Sequence, residues 1–266
     1  MTNDVLATFG DNLDTIRRRK PLIHNITNLV VSNVTANALL ALGASPAMVE
    51  NTEESAELAQ IADALVVNLG TVSSTLAAAM HLATKAASIA KRPWVLDPVA
   101  VGALDYRTRL ARDLLQNRPA VIRGNASEIA SLTGTAGGGK GVDSTLQADE
   151  AVEAADRLAT MTSSVVVVSG AVDYVTDGNR HIRIANGHPL MTQVTGMGCT
   201  ATALVGAFLA VTSQPLIAAA QAMLMMGVAG ELAMKEAKGP GSLQVAFLDL
   251  LYQLTADDIR THARLG

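Results

Sequence analysis

Short runs of apolar, mostly β-branched residues alternate along this chain with longer Ala- and Leu-rich stretches. Ala64-Leu-Val-Val-Asn-Leu-Gly70, Trp94-Val-Leu-Asp-Pro98, Ala120-Val-Ile-Arg-Gly124 and Val165-Val-Val-Val-Ser-Gly170 are near-continuous apolar runs closed by Gly or Pro. Runs of that kind predict strands of a parallel sheet covered on both faces. Between them, Ser74 to Lys91 carries Leu76, Met80, Ala83, Ala87 and Ala90 on one helical face. Gln147 to Thr160 predicts a second helix, with Asp149 and Glu150 in the first turn, where the helix dipole favours acids. Strand–helix alternation implies right-handed crossovers and an α/β sandwich with a mostly parallel central sheet.

The rhythm changes further along. Val172-Asp-Tyr-Val-Thr176 and His181-Ile-Arg-Ile184 flank Asp177-Gly-Asn-Arg180, and the Asp-Gly pair signals a β-hairpin. After Gly198 the pattern is almost entirely helical, with one break at Gly239-Pro-Gly-Ser242. The most apolar stretch, Ala201 to Met234, is interrupted by Thr212, Ser213, Gln214, Pro215 and Gln221. It never accumulates the roughly 18 apolar residues of a membrane span, and it predicts a pair of buried helices. Gly137-Gly-Gly139 predicts a loop. No repeat or long linker divides the chain, so the expectation is one domain over residues 1–266.

Composition narrows the function classes. Apolar residues make up 49% and charged residues 17%, the opposite of a disordered chain. Twenty basic against 24 acidic residues leave a net charge of −4, which gives no footprint for nucleic acid or an anionic membrane. Aromatics at 3% point to an aliphatic core and away from base stacking on single strands. The single cysteine, Cys199, excludes an intrachain disulfide and a multi-cysteine metal site. Met1 to Lys20 lacks a basic stretch followed by an apolar one, so a cytoplasmic location is expected.

In a parallel α/β sheet, ligands collect at the carboxyl ends of the strands. The polar residues there are Asn68 with Gly70 and Thr71, Asp97, Arg123 with Asn125 and Glu128, and Ser169 with Gly170. Thr195-Gly-Met-Gly-Cys199 leads into a helix expected from near Thr200. Gly196 and Gly198 would expose backbone N–H groups at the positive end of that helix, a ready anion site. The same turn also serves simply to join strand to helix. It is neither a Walker A loop nor a dinucleotide fingerprint. Cys199 is either a thiol acidified by the dipole or a small buried side chain. Asp97, between an apolar strand and Pro98, needs a partner or a metal. Asn125 and Glu128 have the spacing of a helix N-cap and its capping-box partner, and Glu128 can equally face a metal. Oxygen ligands of this kind suit Mg²⁺, usually through water. His81 and His181 read as structural or surface residues, and His24 is given no role.

These motifs, in this order, closely resemble the hydroxyethylthiazole kinase family, thiamine-salvage enzymes of the ribokinase-like superfamily. The carrying segments are Pro21-Leu-Ile-His-Asn-Ile-Thr-Asn28, Ala38-Leu-Leu-Ala-Leu-Gly-Ala-Ser-Pro-Ala-Met48, Asn68-Leu-Gly-Thr71, Leu96-Asp-Pro-Val99 and Ile122-Arg-Gly-Asn-Ala-Ser-Glu-Ile129. Lys140-Gly-Val-Asp-Ser144, Val194-Thr-Gly-Met-Gly-Cys199 and Gly239-Pro-Gly-Ser242 continue the series. The resemblance implies a three-layer α/β/α sandwich and transfer of a phosphoryl group from ATP to 4-methyl-5-(2-hydroxyethyl)thiazole. It implies that Arg123 and Ser169 contact ATP beside Asn125. Met48, Gly196 and Asn28 would lie at the thiazole, and Asp97 and Glu128 at Mg²⁺. The loop through Gly198 to Cys199 would be the anion hole. From its place at the helix start, the Cys199 thiolate is expected to accept the hydroxyethyl proton, the alternative being that Cys199 fills space and solvent or phosphate takes it. A homotrimer with the thiazole pocket at a subunit interface is implied too. Ser169 stands where the family usually has Thr, and Met197 where a smaller residue is usual. Cys199 replaces the Asp of most ribokinase-like kinases, which separates this family from the related pyrimidine and pyridoxal-type kinases. A dinucleotide-dependent oxidoreductase and a non-catalytic sensor are the readings from other classes.

Overall fold

The computed structural model describes residues 2–134 and 148–266. The glycine run Gly137-Gly-Gly139 and the Lys140 to Ser144 motif fall outside the described residues. In chain order the elements begin with α1 (Thr2–Ala7), α2 (Phe9–Arg19), β1 (Leu22–Ile26), α3 (Ser32–Leu42), β2 (Ser45–Met48) and α4 (Ser55–Ile61). Then come β3 (Ala64–Asn68), α5 (Ser74–Ile89), β4 (Trp94–Asp97), α6 (Asp105–Leu115), β5 (Val121–Asn125), α7 (Ala126–Thr133) and α8 (Ala148–Thr162). The chain continues through β6 (Val165–Ser169), β7 (Asp173–Thr176), β8 (His181–Ile184) and a 3₁₀ turn at Pro189–Gln193. It finishes with α9 (Met197–Leu209), α10 (Pro215–Met234), α11 (Pro240–Gln253) and α12 (Ala256–His262).

Among the described residues eight strands form one sheet, in the order β2-β1-β3-β4-β5-β6-β7-β8. The pairings from β2 across to β6 are parallel, and the β7–β8 hairpin adds on antiparallel. Side chains alternate faces along each strand, so each apolar run feeds two cores. Ile23, Val66, Val95, Val121 and Val167 face Leu13 of α2, Leu39 of α3, Phe208 of α9 and Leu224 of α10. Leu65, Val67, Leu96, Ile122 and Val166 face Met80 of α5, Leu110 of α6, Ile129 of α7 and Leu158 of α8. The expected three-layer sandwich, with its mostly parallel sheet and late hairpin, is present.

Three features differ from the sequence expectation. β1 and β2 are strands although β1 carries His24 and Asn25, both buried, and β2 contains Pro46. The C-terminal region holds four helices, because residues 254–255 break it in addition to the expected breaks at residues 210–214 and at the Gly239 turn. α9 begins at Met197, before the expected Thr200, because Gly196 itself caps it.

Helix α10 is long and apolar enough to cross a membrane, yet 89% of its most apolar 18-residue window is buried inside the molecule. Its fully buried Gln221 donates to Val5 O and Thr8 Oγ1 and accepts from Asn12 Nδ2, which docks α1 and α2. At one edge of the sheet β2 is half-exposed. At the other edge residues 264–266 pair with β8: Arg183 N donates to Gly266 O at 2.8 Å and Gly266 N to Arg183 O at 3.0 Å.

Candidate active site

The parallel sheet sets the carboxyl ends of β3, β4, β5 and β6 side by side. Asn68 and Asp97 are direct neighbours in register, as are Asn125 and Ser169. Asp97 is 1% exposed. Its Oδ2 accepts from Asn68 Nδ2 at 2.7 Å and from Thr202 Oγ1 at 2.8 Å, while Arg123 Nη1 stands 4.0 Å away. Burial pushes the Asp97 carboxyl up to about 6, against the pull of Arg123 and with a further push from Glu128.

Arg123 projects from β5. Its Nη2 donates to Ser169 Oγ at 2.7 Å, and its buried Nε has no partner among the described residues. A β-carbon on Gly198 would meet Nη1 at 2.7 Å, so the guanidinium lies directly against the glycine turn. Gly196 caps α9 with φ +87°, a left-handed conformation that favours glycine, and any side chain there would collide with Val31. The first intrahelical bond runs from Thr200 N to Gly196 O at 2.8 Å. The N–H groups of Met197, Gly198 and Cys199 therefore have no partner within the helix and lie at its positive end. Arg123, Ser169 and this turn together form a cradle for an anion.

Cys199 occupies the expected place, but its electrostatics reverse the expectation of a thiolate. Burial, and after it the charge of Asp97, push the thiol up to about 11. The helix dipole is outweighed because the sulfur sits among protein atoms next to a buried acid. Asn28, 5% exposed, donates from Nδ2 to Asn68 Oδ1 at 2.9 Å and to Cys199 Sγ at 3.5 Å.

Asn125 and Glu128 make the expected capping box. Asn125 Oδ1 accepts from Glu128 N, and Glu128 Oε2 accepts from Asn125 N, both at 2.9 Å. The second Glu128 oxygen, Oε1, accepts from Ala100 N at 2.9 Å, which ties α7 to the loop after Asp97. Among the described residues no group of three His, Cys, Asp or Glu side chains could hold a metal. Asp97 and Glu128 lie near enough for the charge of one to act on the other, and two hard-oxygen donors suit Mg²⁺ because that ion keeps waters and takes further oxygens from phosphates.

Met48 ends the half-exposed edge strand β2. Three strand spacings separate β2 from β4, about 14 Å, so Met48 stands apart from the Asp97 centre. Three buried residues had no assigned role in the sequence, two beside the Asp97 centre and one beside Met48. Thr202 reaches Asp97 from the second turn of α9. Asp173 is buried at the start of β7, where its Oδ1 accepts from Gly170 N at 3.0 Å behind Ser169, and burial pushes it up to about 6. Fully buried His24 bonds through Nε2 to Val49 O at 2.7 Å, next to Met48. An acid set among apolar residues was the available signal for Asp173.

The hydroxyethylthiazole kinase family profile matches residues 13–257. The chain is 62% identical to a hydroxyethylthiazole kinase from Granulibacter bethesdensis, over 95% of this chain and 92% of that protein. The solved hydroxyethylthiazole kinase of Pyrococcus horikoshii OT3 is 44% identical and superposes with a TM-score of 0.91, covering 98% of both chains. A Bacillus subtilis pyridoxal kinase solved with ADP, 18% identical, shares the ribokinase-like fold with a TM-score of 0.60 over 79% of this chain and 92% of that one. By profile, by identity along nearly its whole length and by fold, this chain belongs to the hydroxyethylthiazole kinase family.

Proposed function

We propose that the protein transfers the γ-phosphoryl group of ATP to the hydroxyethyl oxygen of 4-methyl-5-(2-hydroxyethyl)thiazole, giving the thiazole phosphate used in thiamine biosynthesis. Beyond family membership, one observation carries this reading. Arg123, Ser169 and the open amides of the Gly196–Cys199 turn converge beside a buried acid, Asp97. A cradle of donors next to a carboxylate is what a phosphoryl group and its counter-ion require.

Arg123 and Ser169 bind ATP phosphate oxygens, with Asn125 at the adjoining helix start. The amides at Gly196 and Gly198 stabilise charge on the transferred group. Asn28, Gly196 and the adaptable side chain of Met48 hold the thiazole. Asp97 and Glu128 would hold Mg²⁺, directly or through water, and a cation held there would supply neutralisation of phosphate charge. The alcohol oxygen bonds to the γ-phosphorus as the bond to the ADP oxygen breaks. In a loose transition state the alcohol proton leaves late, so no strong base is needed and the neutral Cys199 thiol lines the site. The proton passes to phosphate oxygen or solvent.

The protein acts as a homotrimer with the thiazole pocket at the subunit interface. Half-exposed β2 and exposed Leu29 (77%) and Val30 (60%) give the pocket an apolar flank that a second subunit would cover. Light scattering after gel filtration checks the trimer.

ATP consumption coupled to mass detection tests the activity. A product heavier by one phosphoryl group, formed with ATP and Mg²⁺, is expected. Activity confined to a pyrimidine or pyridine alcohol would move the substrate while keeping the reaction. Thiazole or ATP binding without turnover would replace the enzyme with a sensor.

A further inference from the structure

We infer that Asn68 is a positioning residue of this site, holding Asp97, Asn28 and Cys199 in one hydrogen-bond chain of fixed sense; the inference rests on the functional reading above. Asn68 closes β3 with 1% exposure, directly beside Asp97 in the sheet. An ionised carboxylate accepts and cannot donate, so Asn68 must turn its amide nitrogen toward Asp97 Oδ2, at 2.7 Å. Its carbonyl oxygen then faces the other way. There it accepts from Gly70 N and from Asn28 Nδ2, each at 2.9 Å. The orientation of Asn28 follows in turn. Its carbonyl oxygen takes Val30 N at 3.1 Å, and its nitrogen also reaches Cys199 Sγ at 3.5 Å. Each amide in the chain is oriented by the acceptor character of Asp97.

The chain has a mechanical consequence. Rotation of the Asp97 carboxyl would break its bonds to both Asn68 and Thr202, so those two residues lock it. Asn68 therefore sets the carboxylate on the cation side and, through Asn28, the amide on the substrate side. It also contributes to the donor environment of the Cys199 sulfur.

Asn68→Asp separates this role from scaffolding. It keeps the shape and the acceptor toward Asn28 and Gly70 but replaces the amide donor to Asp97 with a carboxyl that donates only while the facing pair shares a proton, so both readouts are followed to alkaline pH, where that proton is lost. The expected result is a kcat lower by on the order of 10- to 100-fold, the usual cost of losing an orienting partner. KM for ATP should change little, because Arg123 and Ser169 are untouched. A second readout needs neither metal nor substrate. Cys199 is the single thiol in the chain, so its alkylation rate reports its surroundings. With a carboxylate in place of the amide donor, alkylation should slow by about tenfold at fixed pH, as for a one-unit rise in thiol pKa. A folded Asn68→Asp variant that keeps kcat and the alkylation rate of the parent overturns the inference. Should that variant fail to fold, Asn68→Ser, which removes the amide without adding charge, is judged on the same two readouts. No thiazole phosphorylation by the unsubstituted protein would overturn the functional reading instead, and the alkylation comparison would still decide the part played by Asn68.

Discussion

The Arg123 guanidinium rests against the backbone of Gly198, at a place where a β-carbon would stand 2.7 Å from Nη1 and 3.2 Å from Nη2. Positive groups from two elements, β5 and the start of α9, thus face one point. Gly198→Ala should push the guanidinium aside and strain its bond to Ser169. Gly198→Pro additionally removes an amide donor. The expected loss in kcat is on the order of 10²-fold, as for other oxyanion donors. Steady-state kinetics with both substrates saturating check it, and an unchanged kcat in Gly198→Pro would remove this turn from catalysis.

Cys199→Ala should keep most of the turnover. With the thiol pushed up to about 11, almost none is thiolate near neutral pH. The loss should therefore fall short of tenfold, below the roughly 10²- to 10⁴-fold contributed by a general base. A larger drop in a variant with the Tm of the parent would restore the cysteine as proton acceptor.

Asp97→Asn should act on the metal rather than on the thiazole. The Mg²⁺ concentration for half-maximal rate should rise by on the order of 10- to 100-fold, while KM for the thiazole changes little. Titrating Mg²⁺ against rate in the two proteins decides, and superimposable curves would move the metal elsewhere.

Asp173 carries a pH signature. Burial raises its carboxyl from 3.8 to about 6, so the folded state binds its proton more tightly than the unfolded one. Its destabilising effect is absent below pH 3.8 and fully present above about pH 6. Asp173→Asn keeps an oxygen for Gly170 N and removes the charge. The stability difference between variant and parent should shift in favour of the variant between pH 4 and pH 7, by on the order of 2–3 kcal/mol. Denaturant melts across that range measure it, and a pH-independent difference would show that Asp173 is not held this way.

Much of this architecture is legible in the sequence. β3 to β6 announce themselves because both faces of each are buried and the runs are continuously apolar. The hairpin and the Asn125–Glu128 cap depend on local spacing and were equally readable. β1 and β2 were not, because buried His24 and Asn25 and the proline at Pro46 disguise them as loop. Tertiary context decides such segments. The rim residues followed from strand ends, yet the bonds among them did not. Asn68 lies 40 positions from Asn28 and Thr202 lies 105 from Asp97, separations that topology alone closes. The state of Cys199 was illegible for a different reason. A dipole is visible in a sequence, but the desolvation that opposes it depends on what surrounds the sulfur.

The pairing of residues 264–266 with β8 bears on how copies of this protein can associate. A sheet with two bare edges can add neighbours at both ends and grow without limit. Here one edge is occupied by the chain itself, and β2 is left as the open one. Edge-on contact between copies is then favoured at β2 and discouraged at the other end, where the outermost segment is three residues long. Assemblies that close by rotation through other surfaces avoid edge pairing altogether. Removing residues 264–266 would lift that restriction and leave the sheet prone to fibre-like stacking.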